Sequence, residues 1–193
     1  MNSEQEAGLR ARLIDTGVDL VTREGAQALS LREIARRAGV SHGAPRRYFP
    51  THLELLSAIA RRGFDDLGSR VTPTIGDSTR TPRARIAALA LTYLDFALTH
   101  RGMYELMFRH DLLESSRLGL RETSLPLFGA LVDLVGQARP EADAPVVAGA
   151  LWANLHGIAQ LWSFGSLQLA MGAEDVTPLL DAALDAHLGT GPR

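Results

Sequence analysis

Apolar residues recur at intervals of three and four along most of the chain, which is the spacing of one buried helical face. The clearest case follows Ser30, where the predicted buried face consists of Leu31, Ile34, Ala35 and Ala38. Ser30 and Glu33 have the spacing of a capping box, in which a hydroxyl and a carboxylate bind early backbone N–H groups of a helix. The pattern over the whole chain predicts an all-α protein of about nine helices.

A tight turn is expected to separate this helix from a shorter one. Gly39 is a natural helix end because glycine tolerates a positive φ, and Val40 can fill the turn. Ser41 is expected to cap a following helix of roughly two turns, with Pro45 in or just past its first turn. Two helices joined in this way form a helix-turn-helix, whose second helix enters the major groove of DNA.

Similar signals predict the first and fourth helices. The first helix is expected to run to about Arg23 and to end at Gly25. Thr51 and Glu54 form another capping box, which opens the fourth helix. The core face of that helix is expected to consist of Leu53, Leu56, Ile59, Ala60 and Phe64.

A change of composition divides the chain after the fourth helix. Residues 72–82 have the composition of a linker, at whose end Thr81 and Pro82 cap and begin a fifth helix. We therefore expect a helix-turn-helix domain, a connecting helix and a C-terminal effector-binding and dimerisation domain, at 1–50, 51–71 and 72–193. Later helices are expected at 115–138, 144–165 and 176–188, and Pro126 is expected to kink or interrupt the first of them.

The charge of the chain is unevenly distributed. The net charge is -2 at pH 7, yet residues 32–62 carry seven arginines against Glu33 and Glu54, a local charge of +5. The rest of the chain must therefore sum to -7. A basic cluster on a helix-turn-helix is typical of a nucleic-acid-binding surface.

The run SLREIARRAGVSHGAPRRYF at 30–49, followed by PTHLELL, resembles the DNA-binding domain of the tetracycline-repressor (TetR) family of bacterial transcription regulators. Pro45 departs from the commonest family pattern, in which leucine is frequent there, and Arg46 stands where tyrosine is usual. The resemblance implies a homodimer that binds a palindromic operator in double-stranded DNA. It also implies a small-molecule effector that releases the DNA, with repression as the usual outcome and activation as the alternative.

The expected DNA contacts divide by physical role. His42, Gly43 and Ala44 begin the recognition helix and are expected to face base edges. Arg47 is expected to contact a guanine or a phosphate, and Arg32 the DNA backbone or a base. The remaining expected contacts, mainly to phosphates, come from Ser30, Ser41, Arg46, Tyr48, Thr51 and His52.

Residues 144–165 form the most apolar stretch of the chain and contain no charged residue. A helix that is apolar nearly all round must be buried on more than one side. Its length would permit a membrane span. Asn154, His156 and Gln160 interrupt it, however, and no basic flank frames it, so we expect no membrane association.

Small side chains along this stretch let another helix approach closely. We expect one face in the subunit core and another against a partner subunit, with Ala153, Gly157, Leu180 and Leu184 at the dimer interface. The segment LWANLHGIAQLW also resembles the C-terminal domain of the WHG subgroup of the TetR family. The matching positions are Trp152, His156 and Gly157.

Aromatic and thioether side chains are the candidates for an effector pocket. They are Tyr93, Phe96, Met103, Tyr104, Met107, Phe128, Trp152, His156 and Trp162. An apolar lining with few polar groups suits a hydrophobic or aromatic effector. Two interpretations of His156 stand side by side: contact with the effector, or donation of a structural hydrogen bond to a backbone carbonyl within the body or across the dimer.

Other classes of protein have little support. The chain has no cysteine and no GxSxG, Walker, GxGxxG or HExxH motif, so we expect no enzyme, cofactor or metal. His100 and His110 flank Glu105, but their spacing does not place all three on one helical face. The acidic, polar N-terminus differs from a secretory signal and favours a cytoplasmic protein.

Two alternatives to a DNA-binding regulator stay open. They are a helical small-molecule-binding protein or enzyme that uses the C-terminal pocket, and a helical scaffold without an effector.

Overall fold

The computed structural model describes residues 3–109, 113 and 120–190, with side chains from residue 6 onward. Over these residues the chain forms ten α-helices, one 3₁₀ turn and no strand, which confirms the all-α prediction. The helices are α1 (Ser3–Glu24), α2 (Leu31–Arg37), α3 (Pro45–Tyr48), α4 (His52–Ile75), α5 (Pro82–Thr99), α6 (Arg101–Met107), α7 (Leu120–Ala138), α8 (Ala144–Ser163), α9 (Ser166–Met171) and α10 (Thr177–Leu188). Helix α9 was not predicted, and the 3₁₀ turn lies at Ala26–Ala28.

The chain divides into two compact units. The first consists of Met1–Asp66 with His100–Ser124, and the second of Leu67–Thr99 with Leu125–Arg193. The three regions predicted from the sequence, with boundaries at residues 50 and 71, were defined by function. The two compact units do not test those boundaries, which stay a prediction.

The first unit is built around α1, with α2, α4 and α6 packed on it. Leu13, Leu20 and Ile34 are fully buried in this core. Gly102 allows α6 to approach the end of α1 closely, since a Cβ at that position would lie 2.3 Å from the carbonyl oxygen of Val21. The packing of α6 therefore depends on a missing side chain.

The second unit packs α5, α8 and α10 together. Its core includes Leu94 of α5, Leu151 of α8 and Leu180 of α10, all almost fully buried. Two arginines hold the end of α10: Arg83 forms a salt bridge with Asp185, and Arg139 Nη1 donates to the carbonyl oxygen of His187 at 3.0 Å.

Two predicted caps of later helices are confirmed. Thr51 Oγ1 accepts a hydrogen bond from the backbone N–H of Glu54 at 3.1 Å. Thr81 Oγ1 accepts one from Ala84 at 3.2 Å, immediately before α5.

Three predictions for α4 and α7 are corrected. Helix α4 continues through Pro73 to Ile75, so the expected linker is shorter than residues 72–82. Leu53 was expected in the core but is 40% exposed, because it lies on the solvent side of the first turn of α4. Helix α7 runs through Pro126 without a break, so the expected interruption is wrong and the alternative of a kink stays a prediction. Its predicted start at residue 115 and the side chain of His110 lie outside the described residues.

Candidate nucleic-acid interface

Helix α2 begins at the cap predicted from the sequence. Ser30 Oγ accepts a hydrogen bond from the backbone N–H of Glu33 at 3.1 Å, and Ile34 and Ala35 are buried. The carboxylate of Glu33 was expected to reach back toward Ser30 but binds Arg36 and Arg37 instead. Only half of the predicted capping box is therefore formed by these side chains.

The Glu33 carboxylate is the centre of an ion-pair network on α2. It lies 2.6 Å from Arg36 Nη2 and 2.6 Å from Arg37 Nε. These hydrogen bonds, first from Arg36 and then from Arg37, lower the pKa of Glu33 to about 2. Arg37 Nη2 also binds Glu24 of α1 at 2.6 Å. Two arginines of the basic cluster are therefore neutralised within the chain, and Arg37 links α2 to α1.

The turn after α2 requires a glycine. Gly39 has a φ of 67°, in the left-handed region that side chains disfavour. The N–H of Val40 donates to the carbonyl oxygen of Ala35 at 3.0 Å, which satisfies a carbonyl at the end of the helix. The predicted role of Gly39 in ending α2 is confirmed.

Helix α3 is shorter than predicted. Residues 41–44 form a turn, closed by a 2.9 Å hydrogen bond from the N–H of Ala44 to the carbonyl oxygen of Ser41. The helix begins at Pro45, and the expected cap from the Ser41 side chain is wrong, since Ala44 occupies the cap position. Proline favours this outcome because its φ is already helical and its missing N–H needs no partner at a first position.

Two buried residues attach this segment to the first unit. Pro45 is buried, and Phe49 has no exposed surface. The guanidinium of Arg10 lies 5.3 Å from the centre of the Phe49 ring. No pattern in the sequence predicts this contact, because Arg10 lies on α1 and Phe49 follows α3. Burial on this side leaves the opposite side of the segment in solvent.

Most of the predicted DNA contacts are exposed to solvent. Ala44 and Tyr48 are half-buried, and Ser30 is exposed although its oxygen caps α2. The other predicted contacts are exposed: Arg32, Ser41, His42, Gly43, Arg46, Arg47, Thr51 and His52.

Three of the exposed residues are available cations. Across the described ranges, no ion pair involves Arg32, Arg46 or Arg47. Their charges are therefore not offset locally, unlike those of Arg36 and Arg37. A turn and short helix that present uncompensated guanidinium groups can bind phosphates and base edges.

The structure separates the residues predicted for the effector pocket. Met103, Tyr104 and Met107 are buried in the first unit, where a Cβ on Gly63 would lie 2.6 Å from the sulfur of Met107. The second unit contains the others: Tyr93, Phe96, Phe128, Trp152, His156 and Trp162.

Within the second unit, three of these side chains converge on one hydroxyl. Tyr93 Oη lies 3.0 Å from His156 Nδ1 and accepts a hydrogen bond from Trp152 Nε1 at 3.2 Å. Burial lowers the pKa of His156 below its ordinary value of 6.5. The imidazole is then neutral at pH 7 and shares a hydrogen bond with the Tyr93 hydroxyl. Phe128 adds an aromatic wall, with its ring centre 5.9 Å from that of Trp152.

The predicted dimer residues fall into two groups. Leu180 and Leu184 are buried within their own subunit. Ala153 and Gly157 lie on the side of α8 opposite its buried residues, with Ala153 exposed and Gly157 half-buried. We call this side the α8 stripe; its residues are Val146, Ala150, Ala153, Gly157, Leu161 and Phe164.

Within the described part of the chain, no group of three histidine, aspartate or glutamate side chains is arranged to hold a metal ion. Across that same part, none of the helices is both long enough and apolar enough to span a membrane.

Two sequence models of known families match the chain. Residues 13–59 match the tetR family of bacterial regulatory proteins. Residues 86–187, about half of the chain, match the tetracyclin repressor-like C-terminal domain. These are domains of transcriptional regulators and not of enzymes. The finer resemblance to the WHG subgroup stays a prediction.

Individual proteins show the same similarity. A solved structure of a protein of unknown function from Rhodococcus sp. RHA1 is 31% identical, covers 93% of each chain and superposes with a TM-score of 0.78. The nucleoid occlusion factor SlmA of Haemophilus influenzae is 30% identical over 103 residues, 53% of this chain and 47% of SlmA. The HTH-type transcriptional repressor KstR of Rhodococcus jostii is 33% identical over 70 residues, 36% of this chain and 33% of KstR.

The matches to SlmA and KstR span about half or less of those proteins. The two family models match residues 13–59 and 86–187, which include the helix-turn-helix and most of the second unit. The chain belongs to the TetR family of bacterial regulatory proteins.

Proposed function

We propose that this chain is a cytoplasmic, homodimeric transcriptional regulator that binds double-stranded DNA through the turn at 41–44 and α3. The observation that carries the proposal is the exposed, uncompensated pair Arg46 and Arg47 above the buried Pro45 and Phe49. A rigid support with guanidinium groups on its outer side is what a groove-binding element needs. We propose repression of transcription as its effect, in agreement with the name of KstR.

The start of the segment is suited to contact bases. Gly43 has no neighbour within 4 Å of where a Cβ would stand, so the backbone here is open to a close approach by DNA. His42 is exposed beside it, and the methyl group of Ala44 can meet a thymine methyl. Arg47 can bind the O6 and N7 atoms of a guanine, or a phosphate.

The flanking residues are suited to bind the phosphate backbone. Thr51 and His52 are exposed at the first turn of α4, where backbone N–H groups favour an anion. The Ser30 oxygen accepts from Glu33, but its O–H can still donate to a phosphate. Arg32, Ser41, Arg46 and Tyr48 complete the proposed set of phosphate contacts.

The proposed dimer places the α8 stripes of two copies against each other. The stripe carries no charge, and its central residues Ala150, Ala153 and Gly157 are small, which permits close helix packing. Larger apolar side chains stand at its ends, where Val146 is 64% exposed. A two-fold dimer would present two recognition segments to the two halves of a palindromic operator.

The effector is proposed to bind in the second unit beside the cluster of Tyr93, Trp152 and His156. Phe128 supplies an aromatic wall, and residues 144–163 of α8 contain no charged side chain. Aromatic and apolar groups around a few polar atoms favour a small, largely hydrophobic molecule. Such a molecule would release DNA if it preferred a protein conformation with lower operator affinity.

Selection of bound fragments from a random genomic library tests this function. We expect enrichment of a palindrome whose half-sites are about one helical turn of DNA apart. Adding small apolar molecules during selection should then lower recovery of the palindrome when an effector is present. Recovery of fragments without a shared sequence would contradict sequence-specific regulation. The Arg46→Ala, Arg47→Ala double variant is the matched control and should recover no palindrome.

A further inference from the structure

We propose that α9 packs against a second copy of this chain and extends the dimer contact beyond the α8 stripe. The inference rests on the homodimer proposed above and assigns a role to a helix that the pattern of the sequence did not predict. Its occupant is the partner subunit and not a different protein.

Helix α9 turns a glutamine toward the protein and two large apolar side chains toward solvent, which is unusual at a free protein surface. Its glutamine faces the protein, where Gln168 Nε2 donates to the carbonyl oxygen of Trp162 at 2.9 Å. Two of its three large apolar side chains face outward, with Leu169 89% exposed and Met171 54% exposed, while Leu167 is half-buried. A surface helix normally turns such side chains inward. The reversal indicates that another apolar surface covers them.

Exposed apolar groups are concentrated in this region. Six of the nine large apolar side chains exposed among the described residues lie between positions 146 and 171. They are Val146, Trp152, Leu161, Phe164, Leu169 and Met171. Phe164 ends the α8 stripe and stands two residues before α9, so the apolar surface is continuous along the chain from one helix to the other.

The area that a dimer needs supports the same conclusion. Helix α8 has 20 residues, so its stripe is about 30 Å long and about 10 Å wide. That is about 300 Å² per subunit, whereas stable interfaces bury about 800 Å² per partner. Small residues in the middle of the stripe reduce the contact further. Apolar surface beyond the α8 stripe is required, and Leu169 and Met171 provide it.

Glycines on both sides fix the path of α9. Gly165 has a φ of 76° and Gly172 a φ of 63°, both in the left-handed region. The chain can therefore leave α8, form one short helix and turn again within a few residues. This arrangement holds Leu169 outward by backbone geometry, not by packing of its own side chain.

The absence of cysteine from the chain allows a direct test. Leu169→Cys introduces one thiol in α9, and Leu91→Cys introduces one at another exposed apolar position. We expect maleimide modification of the first variant to slow by about tenfold as protein concentration crosses the dimer transition, because the thiol becomes covered. Modification of the second should keep its rate. An unchanged rate for Leu169→Cys across the transition would overturn the inference.

Sedimentation equilibrium separates this inference from the proposed dimer itself. The Leu169→Gln, Met171→Gln double variant should raise the dimer Kd by about tenfold or more, while Leu91→Gln leaves it unchanged. A wild-type chain that stays monomeric refutes the dimer and, with it, this inference. A wild-type dimer that Ala153→Arg dissociates, but that the α9 double variant leaves intact, refutes only the role of α9.

Discussion

The hydroxyl of Tyr93 and Nδ1 of His156 lie 3.0 Å apart, and this hydrogen bond joins α5 to α8. The Tyr93 oxygen also accepts from Trp152 Nε1. Burial lowers the pKa of His156, so the imidazole is neutral at pH 7. Both interpretations of His156, effector contact and donation to a backbone carbonyl, stay predictions.

This relationship predicts a pH dependence of stability. The pKa of His156 is lowered in the folded state, so below its ordinary value of 6.5 the unfolded chain binds the proton more readily. The free energy of unfolding should therefore fall as the pH drops from about 7.5 to about 5. Urea unfolding of the wild type and of His156→Gln measures the effect, and the variant should lack this part of the slope. His42→Gln, which changes an exposed histidine, should retain it. Equal slopes for the wild type and His156→Gln would contradict the proposed neutral state.

The close packing of α6 on α1 predicts a large effect of one methyl group. Gly102→Ala would place a Cβ 2.3 Å from the carbonyl oxygen of Val21, and backbone cannot move aside as a flexible side chain can. We expect a loss of about 2–3 kcal/mol in the free energy of unfolding, measured with urea. Gly8→Ala is the control, because nothing lies within 4 Å of that position. It should be neutral or stabilise α1 by up to about 1 kcal/mol.

Substitution of Gly43 is expected to weaken DNA binding without changing the stability of the fold. A Cβ there meets nothing within 4 Å, and its φ is not positive, so Gly43→Ala should leave thermal unfolding unchanged. If DNA approaches this backbone closely, the same methyl group should weaken operator binding by about tenfold or more, as one mismatched contact does. Fluorescence anisotropy with a labelled operator measures the change. Unaltered affinity would remove Gly43 from the interface.

Ala153 tests the proposed dimer. Ala153→Glu adds a charge at the middle of the α8 stripe, which would be buried without a partner in the dimer. We expect a monomer in sedimentation equilibrium and a folded helical spectrum by circular dichroism. Leu91→Glu, which adds the same charge at an exposed position of α5, should remain dimeric. A dimer formed by Ala153→Glu as tightly as by the wild type would place the interface elsewhere.

Local contacts were the part of this structure that the sequence could predict. The caps at Ser30, Thr51 and Thr81 each join a hydroxyl to an N–H three residues later, so residue type and spacing suffice to locate them. The same holds for Gly39, whose positive φ ends α2. Helix periodicity then placed most of the elements.

Contacts between distant elements were harder to predict. Met103, Tyr104 and Met107 were expected to line an effector pocket together with residues of the second unit, and no pattern in the sequence shows that α6 joins the first unit. The spacing of Ser30 and Glu33 predicted that the Glu33 carboxylate would bind the backbone N–H of Ser30. Arg36 and Arg37 bind it instead, because charged donors form stronger hydrogen bonds with a carboxylate. Helix α9 is too short for a periodic pattern, and its outward apolar side chains resemble a core segment in sequence.

Arg47 gives the most direct test of the central claim that the segment at 41–48 binds DNA. Operator affinity should be measured by fluorescence anisotropy over a series of salt concentrations for the wild type, Arg47→Ala and Arg37→Ala. The account predicts that Arg47→Ala weakens binding and, if the contact is to a phosphate, flattens the slope of log K against log salt by about one unit. Arg37→Ala should keep the slope, because Glu24 and Glu33 already bind that guanidinium. Wild-type protein that binds no duplex at low salt, or an Arg47→Ala variant with unchanged affinity and slope, would contradict the account.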